Sequence, residues 1–176
     1  MKDLSIAWII GLMVGIVLVV VFLKAMNKNG KAKTEYDERQ QIERGKAYKY
    51  GFFAMLLTCA ALIFLDTFET VLPFLGMLTY FLPILAGVVV QFSYSIFHDA
   101  YEGLNTNMGR FTVILIAISA LNIVIAVIRF VRGGMIEDGK LCSQFLNLLV
   151  GIMCLIVGIE LLIKKAIDAK EGCEES

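Results

Sequence analysis

The chain has 176 residues, of which 59% are hydrophobic and 18% are charged, and its formal net charge is zero. Soluble globular domains carry about 25% charged residues, so this composition excludes an ordinary soluble domain. The balanced charge lacks the basic excess that nucleic-acid binding requires, so no nucleic acid is expected as a partner. The length fits one integral membrane domain over residues 1–176, with the lipid bilayer as its surroundings.

Five uncharged runs predict five transmembrane helices. Most of them reach the roughly 20 apolar residues that cross a bilayer core of about 30 Å as a helix. No run alternates apolar and polar residues with a period of two, as a membrane β-barrel would. The predicted fold is therefore all-α, a bundle whose spans cover residues 4–23, 50–67, 74–97, 111–130 and 141–163.

The first run, 4–23, has a secretory signal as its alternative interpretation. Its 20 residues exceed the usual apolar core of 7–15 residues, and no A-x-A cleavage site follows. An uncleaved first span is therefore preferred. Gly11 and Gly15 lie on one face of this span, which predicts packing against another helix or against a second copy of the chain.

A charged segment, "TEYDERQQIERGKAYKY", occupies residues 34–50 between the first two spans. Thr34 followed by Asp37 predicts a capping box that starts a helix. Acidic residues come first and basic residues lie nearer the membrane, an order that suits both the helix dipole and an anionic inner leaflet. We therefore predict a cytoplasmic helix from Glu35 to Tyr50 that continues into the second span.

Two roles are open for this segment. As a membrane anchor, it would place Arg44, Lys46 and Lys49 against lipid phosphates. As a docking face, it would bind a cytosolic protein partner or a second subunit. The candidate docking residues are Asp37, Glu38, Arg39 and Arg44.

The stretch "TEYDERQQIERGKAYKYGFF" resembles a motif in small uncharacterised multi-pass bacterial membrane proteins. The resemblance covers the charged segment and the start of the second span. It implies a multi-pass protein of the bacterial cytoplasmic (inner) membrane. No activity is established for such proteins, so the resemblance implies no site residue and no cofactor.

The basic residues predict the orientation of the chain. Cytoplasmic loops carry an excess of lysine and arginine. The predicted spans leave twelve of the 16 basic residues on one side, which places the N-terminus outside and the C-terminus inside. These twelve are Lys24, Lys28, Lys31, Lys33, Arg39, Arg44, Lys46, Lys49, Arg110, Lys164, Lys165 and Lys170.

Small and polar residues recur at helical spacing and predict the faces on which the spans pack. Such residues let transmembrane helices approach closely and bond to one another. A polar pathway through the bundle is the alternative interpretation of these faces. Besides Gly11 and Gly15, the packing residues are Gln91, Asn122, Asn147, Gly151 and Gly158.

The connections between the spans predict two antiparallel pairs, because short loops join neighbouring helices. The second span should therefore pack on the third, and the fourth on the fifth. Pro83 removes a backbone donor within the third span and predicts a bend between Thr79 and Pro83.

Charges at the ends of the spans predict ion pairs. Asp66 and Arg129 end the second and fourth spans at similar depth and are one candidate pair. Glu160 has two candidate partners, namely Lys164 one turn later and Arg110 on the fourth span. In the alternative interpretation, all of these side chains extend to water without pairing.

No enzymatic or cofactor motif is found in the sequence. His98 and Glu102 lie one turn apart, but two ligands are too few for a metal site, and the four cysteines show no C-x-x-C spacing. We therefore expect a non-enzymatic, partner-binding, regulatory or self-protection component without a cofactor. The alternative function is a small transporter or channel that acts as an oligomer.

Overall fold

The computed structural model describes most of the chain after the first hydrophobic run. Within residues 1–33 it describes six helical positions, and Gly11 and Gly15 lie outside the described residues. The described positions are 13, 17, 20, 21, 24, 25, 34–69, 71–104, 106–134, 136–142 and 144–174.

The described part is almost entirely helical, as predicted. Four of its helices, α1, α3, α4 and α5, are long and apolar enough to cross a membrane. A short helix, α2, and a two-stranded hairpin lie in the connections. The elements are α1 Glu38–Asp66, α2 Val71–Leu75, α3 Leu78–Phe97, α4 Met108–Val131, β1 Ile136–Glu137, β2 Lys140–Leu141 and α5 Phe145–Glu174.

Helix α1 joins the charged segment to the second predicted span without a break, over 29 residues. Its N-cap is Asp37, whose carboxylate accepts from the Gln40 amide at 2.6 Å, while the Gln40 side chain accepts from the Asp37 amide. The predicted capping box from Thr34 is therefore wrong by three residues. Residues 34–37 are not helical, because the carbonyl of Glu35 accepts from the amide of Leu104 at 2.8 Å.

Helices α1 and α3 form the first hairpin and run antiparallel. Glu43 near the start of α1 contacts Tyr94 near the end of α3, and Gly51 meets Gly87 farther along. A Cβ atom on Gly51 would lie 2.8 Å from the carbonyl oxygen of Gly87. The two backbones therefore approach each other as closely as glycine permits.

The helical run of this hairpin is interrupted before Pro83. Gly76, with a φ of 54°, lies in the left-handed region and separates α2 from α3. Helix α3 then continues from Leu78 through Pro83 to Phe97. The bend predicted between Thr79 and Pro83 stays a prediction, and the helix break that the structure shows lies at Gly76, which tolerates this backbone conformation.

Helices α4 and α5 form the second hairpin. The hydroxyl of Ser119 donates to the carbonyl of Gly151 at 2.8 Å across the interface. A Cβ on Gly151 would lie 2.8 Å from the side chain of Ile123 and 3.2 Å from its backbone nitrogen. At Gly158 the nearest atom, on Ile116, would be 3.5 Å away. The close approach is therefore centred on Gly151.

The two hairpins meet through α3 and α5. Ile96 of α3 packs with Val157 and Leu161 of α5, and all three are buried. Most other large apolar side chains face outward; Leu57 and Val113, for example, are 72% and 67% exposed. An apolar outer surface of this kind suits lipid, as predicted for membrane spans.

Candidate functional site

The end of the bundle where α1 begins and α3 ends holds most of the polar contacts. We call it the inner end, because the sequence predicts it to be cytoplasmic. The side chain of Gln40 donates to two carbonyls of the loop after α3, those of Asp99 at 3.1 Å and Glu102 at 2.9 Å. The start of α1 is thereby fixed to this loop.

Asp99 connects three helices at the inner end. It follows α3 in a left-handed conformation, with a φ of 56°. Its carboxylate lies 2.8 Å from Nζ of Lys164 in α5 and 3.7 Å from the guanidinium of Arg39 in α1. Only 12% of the Lys164 side chain is exposed, whereas 51% of the Asp99 side chain is, so the contact is shielded from water on the lysine side.

The predicted pairs of Glu160 are not formed. Lys164 turns away from Glu160 toward Asp99 and toward Asp168, which lies 2.8 Å away. The Glu160 carboxylate instead accepts from the hydroxyl of Ser93 at 2.8 and 3.0 Å, because that face of α5 packs on α3. Neither Lys164 nor Arg110 of the fourth predicted span approaches it as an ion pair.

The predicted pair of Asp66 and Arg129 at the other end is also absent. Nε of Arg129 donates to the carbonyl of Gly134 at 3.1 Å, so the guanidinium folds back on the end of its own helix. Asp66 is exposed at the end of α1. Lysine and arginine near a helix C-terminus commonly bond to the last carbonyls in this way.

A second polar cluster lies between α1 and α3. The carboxylate of Glu43 accepts from Lys46 at 2.7 Å and from the hydroxyl of Tyr94 at 2.9 Å. The ring of His98 stacks on Tyr94 with 3.8 Å between ring centroids. Within the described ranges, no three His, Cys, Asp or Glu side chains gather as a metal site.

The predicted packing residues differ in what they contact. Gly151 lies in the α4–α5 interface beside Asn122, whose own amide donates to the carbonyl of Ile118 in the same helix at 2.9 Å. Asn147 is partly buried near the start of α5. Gln91 lies beside Gly51 and also lines a cavity. Among the described residues, these side chains therefore lie in different interfaces.

The cavity at the inner end has a volume of about 260 Å³. Sequence reasoning missed it, because it forms only where segments distant in the chain converge. The loop residue Tyr101 contributes one side, and burial, with the carboxylates of Glu102 and Asp168 adding to the effect, raises the pKa of its phenol. The lining residues are Thr34, Tyr36, Arg44, Tyr48, Gln91, Phe92, Ser95, Ile96, Tyr101, Thr106, Met108, Phe111 and Leu161.

Three of the four candidate docking residues are engaged within the chain. Asp37 caps α1, Arg39 pairs with Asp99, and the guanidinium of Arg44 lies 3.9 Å above the ring of Tyr36. The fourth, Glu38, is exposed and forms no hydrogen bond or ion pair with another described side chain. The structure therefore leaves a different part of this segment open to a partner.

Two further residues share the open side of α1 with Glu38. Ile42, one turn later, is 62% exposed, and a Cβ on Gly45 would meet no described atom within 4 Å. We call Glu38, Ile42 and Gly45 the docking face. Sequence reasoning missed Ile42 and Gly45, although an isolated glycine in a strongly helical pattern was a usable signal.

Comparison of the chain with protein-family models, with curated proteins and with solved structures gives no match.

Proposed function

We propose that this protein is a non-enzymatic membrane component that binds a protein partner through the docking face of α1. The observation that carries the proposal is the presence of a glycine, Gly45, on the exposed side of helix α1. A glycine within a helix costs about 0.5–1 kcal/mol of stability relative to alanine. Nothing in the described part of the chain requires a glycine at this position, since a Cβ on Gly45 would meet open space.

The contrast with Gly51 on the same helix supports this interpretation. Gly51 is explained by the backbone of α3, which a Cβ would meet at 2.8 Å. Gly45 lies about two turns earlier, in the segment predicted to be cytoplasmic. A helix from another protein can approach such a glycine closely. Ile42 beside it supplies exposed apolar area, which water disfavours and a partner would cover.

The docking face is also held rigidly. The capping box orders the first turn of α1, and Gln40 and Arg39 attach that turn to the loop at Asp99. A surface that is ordered before binding loses less conformational entropy when the partner arrives. The charged segment therefore supports docking better than a mobile tail would.

We further propose that the chain crosses a bacterial inner membrane five times, with the N-terminus outside and the C-terminus inside. Four described helices of sufficient length support the number of spans, as do the described helical positions of the first run, namely 13, 17, 20, 21, 24 and 25. The distribution of basic residues supports the orientation. The resemblance of the segment 34–53 to bacterial multi-pass proteins supports the compartment.

A photo-crosslinking amino acid at Ile42 tests the partner directly, followed by purification in mild detergent and mass spectrometry. We expect one dominant crosslinked protein, which is lost when Gly45→Leu fills the docking face. Ala169→Leu is the control, because it introduces the same leucine side chain at an exposed position of α5 near the inner end. If Gly45→Leu retains the crosslink, partner binding through this face is wrong.

Transport is the second candidate function, and one observation favours it. The carboxylate of Glu160 lies within α5, where its only hydrogen bonds to described residues come from the hydroxyl of Ser93. Ionisable side chains inside membrane spans commonly mark ion or proton pathways. Proton or ion transport into proteoliposomes that is lost in Glu160→Gln would favour this function over docking.

A further inference from the structure

The cavity at the inner end is formed by four helices and by the segment before α1. Its inner wall is apolar and comes from Phe92 and Ile96 of α3, Phe111 of α4 and Leu161 of α5. Arg44 of α1 lines the same cavity. Ligand sites of this kind combine apolar walls with a few placed polar groups.

The charge of the cavity is one-sided. Among the described lining residues, Arg44 alone is charged, and none is an aspartate or a glutamate. Its guanidinium contacts two neutral groups, the ring of Tyr36 at 3.9 Å and the hydroxyl of Tyr48 at 2.9 Å. No carboxylate of the described chain lies within 4 Å as an ion-pair partner. The cavity therefore has a cation whose remaining donors are available to an anion.

Two further groups can donate to the same anion. The hydroxyl of Tyr48 accepts from Arg44, which leaves its own proton available. Gln91 lines the cavity from α3, and its side-chain amide makes no hydrogen bond to another described residue. A guanidinium, an amide and a phenol together match the oxygens of a phosphate group.

We propose that this cavity binds the phosphate of an anionic membrane phospholipid, with Arg44 as its cation and Gln91 and Tyr48 as further donors. The position favours a lipid over a soluble anion. Tyr48 and Tyr50 are exposed aromatic residues at the point where α1 becomes apolar, and such residues lie at headgroup depth. Arg44 is one turn from Tyr48, so the cavity lies beside the headgroup layer.

The size of the cavity defines which part of the lipid enters. A volume of about 260 Å³ is near the lower limit of ligand pockets and holds a headgroup, whereas two acyl chains need far more space. The chains therefore remain in the bilayer, and the apolar wall contacts the glycerol and the first methylenes.

The charge of the cavity also predicts which headgroup binds. Phosphatidylethanolamine has an ammonium group that would enter the cavity beside Arg44 without a described carboxylate to pair with. Phosphatidylglycerol has hydroxyls at that position and a net negative charge. The cavity should therefore select phosphatidylglycerol.

The purified full-length protein in detergent allows a direct test. Short-chain phosphatidylglycerol, short-chain phosphatidylethanolamine and inorganic phosphate are each titrated, and the shift in unfolding temperature gives the apparent affinity. We expect the glycerol lipid to bind at least about tenfold more tightly than either alternative. Arg44→Gln should weaken its binding at least about tenfold, because a charge-assisted contact is lost.

Lys49→Gln is the matched control, because it removes an exposed cation of α1 that does not line the cavity. It should bind the lipid like the unaltered protein. Gln91→Leu removes a donor that lines the cavity from α3 and should also weaken lipid binding. This variant tests the proposal if Arg44→Gln fails to fold.

Three results would overturn the proposal. The first is equal binding of the two lipids, and the second is an equal loss in Lys49→Gln and Arg44→Gln, which would mean attraction to surface charge. The third is a full shift with inorganic phosphate alone, which would make the cavity a site for a free anion.

Discussion

Gly51 in α1 and Gly87 in α3 form a reciprocal backbone contact. A Cβ on Gly51 would lie 2.8 Å from the Gly87 carbonyl oxygen, and a Cβ on Gly87 would lie 2.9 Å from that of Gly51. Because both obstacles are backbone atoms, a rotamer change cannot relieve either clash. The α1–α3 hairpin therefore depends on both residues being glycine.

Gly51→Ala and Gly87→Ala should each lower the free energy of unfolding by about 1–3 kcal/mol, the usual cost of overpacking. Thermal unfolding in detergent measures the loss. Gly45→Ala is the control on the same helix and should be neutral or stabilising by up to about 1 kcal/mol, since no described atom lies near its Cβ position. Equal losses in all three variants would contradict the assigned crossing point.

The two glycines of α5 should respond differently to the same change. Gly151→Ala brings a Cβ within 2.8 Å of the Ile123 side chain and 3.2 Å of its backbone nitrogen, and should destabilise the α4–α5 hairpin. At Gly158 the nearest distance is 3.5 Å, an ordinary contact, so Gly158→Ala should be tolerated. Detergent unfolding temperatures test this order, and a larger loss at Gly158 would contradict it.

The two cations that contact Asp99 should differ in importance. Lys164 is mostly shielded and contacts two carboxylates at 2.8 Å, so Lys164→Met should cost about 1.5–3 kcal/mol. Arg39 is 74% exposed and lies 3.7 Å away, so Arg39→Met should cost less than about 1 kcal/mol. Unfolding at low and high salt measures both losses, and salt should weaken mainly the Arg39 contribution. The reverse order would contradict the structure.

Amide hydrogen exchange distinguishes the two candidate N-cap residues of α1, Thr34 and Asp37. Asp37→Ala should speed exchange of the first-turn amides and cost about 1 kcal/mol, whereas Asp37→Asn should retain the cap. Thr34→Ala should leave those amides protected, because Thr34 packs near Gly103 instead. Faster exchange in Thr34→Ala but not in Asp37→Ala would restore the cap predicted from the sequence.

Accessibility to a membrane-impermeant thiol reagent tests the proposed orientation in intact cells. Single cysteines at Glu69 and Asp138, on a background without native cysteines, should be labelled from outside. A cysteine at Gln41, in the charged part of α1, should be labelled only after the membrane is opened. Labelling of position 41 in intact cells would reverse the orientation.

The helical fold and the four long apolar helices could be predicted from the sequence, because long apolar runs have few structural solutions in lipid. The continuity of α1 was predicted from helix-supporting charges, and the structure confirms it. The first residue of α1 was not predicted correctly, because Thr34 and Asp37 are both good N-cap residues. The choice between them depends on the contact of Glu35 with Leu104, a residue distant in the chain.

The ion pairs show the same limit. Glu160 and Lys164 have favourable spacing along one helix, yet Glu160 bonds to Ser93 of α3 and Lys164 pairs with Asp99 in the loop after α3. Sequence spacing measures distance only within a helix, whereas these contacts depend on how helices are placed side by side. The cavity around Arg44 was missed for the same reason.

The contacts of Asp99 also bear on the order in which the protein is assembled during synthesis. Its bonds with Arg39 and Gln40 involve only residues that precede position 100, so the first hairpin can close before α4 has left the ribosome. Lys164 comes more than sixty residues later and meets a carboxylate that is already held in place. The two hairpins can therefore form one after the other, with the first providing the contact surface for the second.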